Sequence, residues 1–188
     1  GAPELFRNLW SLAVEEQFYV LWPLLLPLLL LLPWRAVRVG VALVAAGGSA
    51  WWMAQLTVAG EVTRGYYGTG SHAFGILLGV ALAFALHGLL LSPRPWMRRS
   101  AWRGAGALVG FASLAVLWAS TSIPADDTAA TFPGALLIAS LATVAAIAAA
   151  VWPGSVFGPA IDVAPLRWIG DRSYGLYLWH WPILVLVT

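Results

Sequence analysis

An all-α fold, a polytopic transmembrane helical bundle, is what this sequence predicts, and three observations predict it. The first is composition: of 188 residues, 61% are hydrophobic and only 10% charged, with a mean hydropathy of +0.82. Soluble domains carry about a quarter charged residues, so water is not the main solvent of this chain. The second is that apolar residues form long runs, each near the roughly 20 residues a helix needs to cross a hydrocarbon core of about 30 Å. The third is the placing of arginine, which falls almost wholly in alternate connecting segments.

Six apolar runs stand between the charges: Phe18–Leu32, Val39–Ala59, Phe74–Leu91, Ala105–Ser122, Phe132–Val151 and Tyr174 to the end. The first is short and gains length from Trp10–Val14; the last reads as cut at Thr188. Each run is expected to be helical, because lipid offers no partner to backbone N–H and C=O groups and the alternating pattern of a closed barrel is absent. The connecting segments carry breakers: Pro33-Trp34-Arg35, Gly65 to Gly70, Ser92-Pro93-Arg94-Pro95, Ile123-Pro124-Ala125-Asp126-Asp127 and Pro153-Gly154. Trp34, Trp96, Trp102, Trp152 and Trp168 fall near run ends, where indole rings anchor at a membrane–water boundary. The Ala-rich stretch Ala139–Ala150 suits close helix packing, and no internal repeat is visible.

Orientation follows from the arginines. Arg35, Arg38, Arg94, Arg98, Arg99, Arg103, Arg167 and Arg172 lie in the segments after runs one, three and five, against Arg7 and Arg64 on the other side. By the positive-inside bias, residues 1–17, the 60–72 loop and Asp126-Asp127 are expected to face outward. The start at Gly1-Ala2-Pro3 has no signal-peptide pattern, and both ends read as cuts in a longer protein, so 1–188 is expected to be one portion of a larger domain. Without cysteine, disulfides, thiolate nucleophiles and Cys-based metal sites are excluded. Three scattered histidines without clustered carboxylates imply no metal. The net charge of +2 does not point to nucleic acid, since the arginines sit in short loops rather than on one basic face.

Three segments could carry chemistry. In Asn8–Tyr19, Ser11, Glu15 and Tyr19 are spaced i, i+4, i+8 and share a helix face. They stack a hydroxyl, a carboxylate and a phenol at the outer boundary. Pro23 then removes an N–H and frees the carbonyl of Tyr19. The plainer reading is an interfacial helix whose Glu15 and Glu16 mark the water line. In Trp168–Pro182, Asp171 is the expected N-cap, and Ser173, Tyr177, His180 and Leu184 fall on one face. A histidine inside a span is a functional candidate by default, against the alternative of a packed His bonded to a neighbouring helix. Gly65–Phe74, with His72 at its outer end and Glu61 and Arg64 nearby, reads either as a flexible loop with a helix cap or as part of a site. His87 is taken as structural.

Trp10-Ser11-Leu12-Ala13-Val14-Glu15-Glu16-Gln17-Phe18-Tyr19 resembles the WSLxxEEQFY signature of the acyltransferase-3 family, integral membrane enzymes that O-acylate carbohydrates. Ser173-Tyr174-Gly175-Leu176-Tyr177-Leu178-Trp179-His180-Trp181-Pro182 is similar to that family's SYxLYLWHWP signature, and Tyr66-Tyr67-Gly68-Thr69 matches the segment between them, in order. With roughly 20 residues per span, the chain supplies about the last six of the family's roughly ten spans; its early spans, with a catalytic histidine and an arginine motif, have no counterpart here. Where members often read T-D-T-R-A, this chain has Thr69-Gly70-Ser71-His72-Ala73, without the acid and the Arg.

The resemblance implies transfer of an acyl group, usually acetyl, from cytoplasmic acyl-CoA as co-substrate to a sugar hydroxyl outside a bacterial inner membrane. It implies no bound cofactor. Its partners would be the bilayer, acyl-CoA, a carbohydrate acceptor and the missing N-terminal spans. It makes Glu15 and His180 the catalytic candidates, with Trp10, Ser11, Gln17, Tyr19, Tyr67, His72, Ser173 and Tyr177 as substrate-binding candidates. Glu15 is placed at the outer surface and His180 roughly 10 Å from the inner boundary at 1.5 Å per residue. The two are therefore expected to line different ends of one cavity rather than form a dyad. A proton-coupled carrier of envelope precursors is the competing reading, and a catalytically silent fragment is a third.

Overall fold

The computed structural model describes residues 9–123 and 131–187, the side chains of residues 9–11 excepted. The predicted loop tip Asp126-Asp127 and Arg7 lie outside the described residues. Every regular element described is helical: α1 (Leu9–Leu30), α2 (Arg35–Val58), α3 (Val62–Tyr67), α4 (Thr69–His72), α5 (Phe74–Leu91), α6 (Ser100–Ser120), α7 (Leu136–Val151), α8 (Phe157–Ile161) and α9 (Ala164–Val187). A short 3-10 turn, Pro95–Arg98, precedes α6, and a π-helical turn, Thr131–Ala135, leads into α7.

Among the described residues, five helices are long and apolar enough to cross a membrane: Leu12–Leu30 within α1, α2, α5, α6 and Thr131–Val151. The sixth expected run is helical too, but α9 begins ten residues before Tyr174. Its charged first half and His180 keep it out of that apolar class. Asp171 is consequently not the N-cap that the sequence suggests; it stands inside α9. Pro165 explains the earlier start, because a proline in the first turn loses no helical hydrogen bond and arrives with φ already set. α1, described from Leu9, runs unbroken through Pro23 and Pro27.

The chain divides into two compact units, one of residues up to Pro27 together with Ile161 onward, the other Leu28–Ala160. In the larger unit α2 packs on α5, α5 on α7 and α7 on α6. The contact stripe of α2 is Ala42, Ala46, Ser49, Ala50, Met53 and Leu56, all buried and all at helical spacing on one face. Lipid tails are as apolar as any core, so association rests on close van der Waals packing, which small residues permit. Ala46, Ala50, Met53 and Phe74 form the core, with Leu77, Leu78, Phe132, Leu136 and Leu137 packed against it.

Two arginines finish helix ends. The Arg38 guanidinium donates to the carbonyls of Leu30 (3.1 Å) and Leu32 (2.8 Å), satisfying acceptors that α1 leaves open at its C-terminus. Arg35 reaches the last turn of α5, where a Cβ on Gly88 would sit 2.9 Å from its guanidinium; a cation there suits the helix dipole.

Candidate active site

In the larger unit, the Gly-rich segment before α5 folds into two short helices rather than a loose loop. α3 ends at Gly68, whose extended backbone (φ −71°, ψ 124°) turns the chain into α4. A Cβ at Gly68 would lie 2.6 Å from the Arg64 carbonyl and 2.7 Å from Ser71 Oγ, so only glycine fits this approach. Ser71 is fully buried and clamps the turn, its hydroxyl lying 2.7 Å from the Gly65 carbonyl and 3.0 Å from that of Gly68. One proton serves both acceptors, and the shorter contact takes it.

The clamp sets an aromatic cluster at the mouth of α5. Tyr66 is its hub, meeting Tyr67 at 5.1 Å, Phe132 at 5.3 Å and His72 at 5.6 Å, all edge-to-face. His72 also faces Phe74 at 5.9 Å. Such geometries are the favoured ones for rings with a negative face and positive edge. Burial pushes the His72 imidazole below its ordinary value of 6.5 and so favours the neutral ring, because desolvation penalises the charged form. Glu61 and Arg64, at the start of α3, form an exposed ion pair at 3.0 Å, a contact of the kind that contributes about 0–1 kcal/mol.

In the smaller unit the other candidates stand on α1 and α9. Among the described side chains of α1, Val14 is the buried one, while Glu15, Gln17 and Tyr19 are exposed. Phe18 stacks on Trp22 one turn later at 5.0 Å. Trp10 and Ser11 occupy the first turn of α1, and their side chains are outside the described part. On α9, Ser173 and His180 are exposed and Tyr177 is half-buried. His180 Nδ1 lies 2.6 Å from the Tyr177 carbonyl, with the two rings 5.4 Å apart. A carbonyl only accepts, so Nδ1 carries the proton in this contact, and in that tautomer the lone pair lies on Nε2. The histidine thus takes its partner from its own helix, and Nε2 is left as a potential base. No hydrogen bond or ion pair joins Glu15 to His180 among the described residues. Nor do His, Asp and Glu gather into a metal-binding group among them.

Sequence reasoning named Tyr67 and His72 but missed Tyr66, Ser71 and Phe132 as parts of the same construction. Ser71 had a local signal, a hydroxyl three residues after Gly68. Phe132 had none, because its meeting with Tyr66 is made by the packing of distant helices.

A family model described as an acyltransferase domain matches residues 2–188. The chain belongs to this acyltransferase family. Among curated relatives of this acyltransferase-family chain, a peptidoglycan O-acetyltransferase, OatA, of Listeria monocytogenes is 38% identical over 197 residues. A putative peptidoglycan O-acetyltransferase, YrhL, of Bacillus subtilis is 34% identical over 196 residues, and an O-acetyltransferase, OatA, of Staphylococcus aureus 35% over 193. Each alignment covers 100% of this chain but only 30% or 31% of the relative. The chain therefore spans about a third of the length of the curated relatives it matches. No solved structure matches it.

Proposed function

We propose that this acyltransferase-family chain works within a membrane O-acyltransferase that moves an acyl group, most simply acetyl, from acyl-CoA to a carbohydrate hydroxyl of the cell envelope. The observation that carries the reading is the family match along residues 2–188 together with relatives named for peptidoglycan O-acetylation. In the reaction, a sugar oxygen attacks the thioester carbonyl carbon, the new C–O bond replaces C–S, and the sugar proton passes to a base while coenzyme A leaves as thiolate. The donor, a bacterial inner membrane and an outward-facing residue 1 end remain parts of this proposal. The carrier reading has no comparable support.

On this reading Glu15 orients or deprotonates the acceptor hydroxyl. Its exposure on α1 leaves the carboxylate accessible to a ligand, and Trp10, Ser11, Gln17 and Tyr19 on the same helix are assigned to hold the acceptor near it. His180, its tautomer set by the Tyr177 carbonyl, presents Nε2 as a second proton acceptor, with Ser173 and Tyr177 beside it on α9. Tyr67 and His72 belong to an aromatic surface suited to the apolar face of a sugar ring. Positioned general bases contribute about 10²–10⁴-fold, so Glu15→Gln in the full-length protein is expected to lower glycan acylation by that order. Measuring ester-linked acetate on envelope glycan, at matched protein levels, tests it; unchanged acetate removes Glu15 from the site.

A further inference from the structure

The end of the larger unit opposite His72 is built as a cationic platform. Arg94, Arg98, Arg99 and Arg103 are all exposed there. None of them forms an ion pair among the described residues, and the connecting stretches 31–38, 92–104 and 151–160 contain no Asp or Glu. Arg99 stands at the N-cap of α6, with Arg103 in its first turn. These positive charges add to the positive end of a helix dipole, an unfavourable pairing that a bound anion would relieve.

The arginines do not hang on a loose loop. Trp96, Trp102 and Trp152 form a triangle with ring centres 5.5, 6.2 and 6.3 Å apart. The Trp152 Nε1–H donates to the carbonyl of fully buried Met97 at 3.1 Å, tying the 3-10 turn to the end of α7. Gly154, at φ +78°, turns the chain close to Arg98, where a Cβ on the glycine would sit 3.5 Å from the Arg98 Cγ. Below the platform runs an apolar strip of α6. Trp102, Val109 and Val116, at i, i+7 and i+14, are 49%, 43% and 40% exposed.

A fixed cluster of cations, an indole belt and an apolar strip descending from them match an amphipathic anion. We propose that this platform binds the phosphate of an anionic phospholipid headgroup, its acyl chain lying along Trp102, Val109 and Val116. Basic clusters at helix ends recognise such headgroups, and a soluble phosphate would leave the apolar strip without a role. The proposal needs only that these helices cross a bilayer, so it stands or falls separately from acyl transfer.

The test reconstitutes the full-length protein into phosphatidylcholine vesicles carrying a trace of spin-labelled phosphatidylglycerol or, in parallel, spin-labelled phosphatidylcholine. The immobilised lipid fraction is the readout. Wild type is expected to hold phosphatidylglycerol in preference. The Arg98→Gln, Arg99→Gln, Arg103→Gln triple variant should lose about fivefold of that preference per arginine removed. Arg64→Gln, at the other end of the unit, should keep the wild-type preference. Should the triple variant misfold, Arg103→Gln alone is expected to lose about fivefold. Equal immobilisation of the two lipids by wild type overturns the proposal, as does a folded variant that retains selectivity. Displacement of phosphatidylglycerol by inorganic pyrophosphate or by coenzyme A at low concentration also overturns it, and assigns the platform to a soluble phosphate.

Discussion

His180 and His72 show how differently one side chain is used in this chain. His180 is exposed on α9 and bonds the carbonyl three residues back, which fixes its tautomer without another helix. His72 is packed among Tyr66 and Phe74, and its burial favours the neutral ring. The consequence for stability has a definite sign. The folded-state value lies below 6.5, so the unfolded chain takes up the proton first. The stability tied to neutral His72 is complete above that value and is lost as pH falls from 6.5 through the lower folded value. Melting in detergent at about pH 7.5 and about pH 5 should show a drop for wild type and a smaller one for His72→Phe; equal drops would contradict this. The motif residues Glu15 and His180 were legible because their spacing and sequence context are local. The aromatic hub Tyr66 was visible only as a letter in a motif, since its partner Phe132 comes from a remote helix.

Among the helices, small residues decide how closely neighbours approach. Gly110 on α6 receives the ring of Phe157, which is wholly buried and also meets Phe111 edge-to-face at 5.1 Å. A Cβ at Gly110 would collide with that ring. Overpacking of this kind costs about 1–3 kcal/mol, so Gly110→Ala should lower the melting temperature, and a Phe157→Leu second change should restore part of it. Gly68→Ala should act more locally. It drives a methyl into the Arg64 carbonyl and Ser71 Oγ, and faster hydrogen exchange confined to 64–72 is the expected signature. Apolar runs marked by charges placed the bundle helices well. The start of α9 was less legible: polar residues within Ala164–Arg172 do not end a helix, they only end its apolar character. The Gly-rich approach to α5 likewise read as loop, because the bonds that fold it depend on Ser71 finding two carbonyls.

For the whole molecule, the gathering of Arg35, Arg38, Arg94, Arg98, Arg99 and Arg103 at one end of the larger unit gives the topology a test. The chain has no cysteine, so a single introduced one reports its side of the membrane to an impermeant maleimide. Ser92→Cys should be shielded in intact cells and labelled after lysis, and Gly60→Cys should be labelled in both; the reverse pattern would invert the orientation. On the proposed function, which end faces which compartment decides where a donor enters and where an acceptor waits. The proposed acyl transfer to an envelope carbohydrate is tested by following labelled acetate from acetyl-CoA into envelope glycan in cells with and without the full gene. Label should reach glycan ester only when the gene is present, and fall by about 10²–10⁴-fold with Glu15→Gln. Glycan that stays unlabelled while the wild-type protein is present in the membrane would contradict the account.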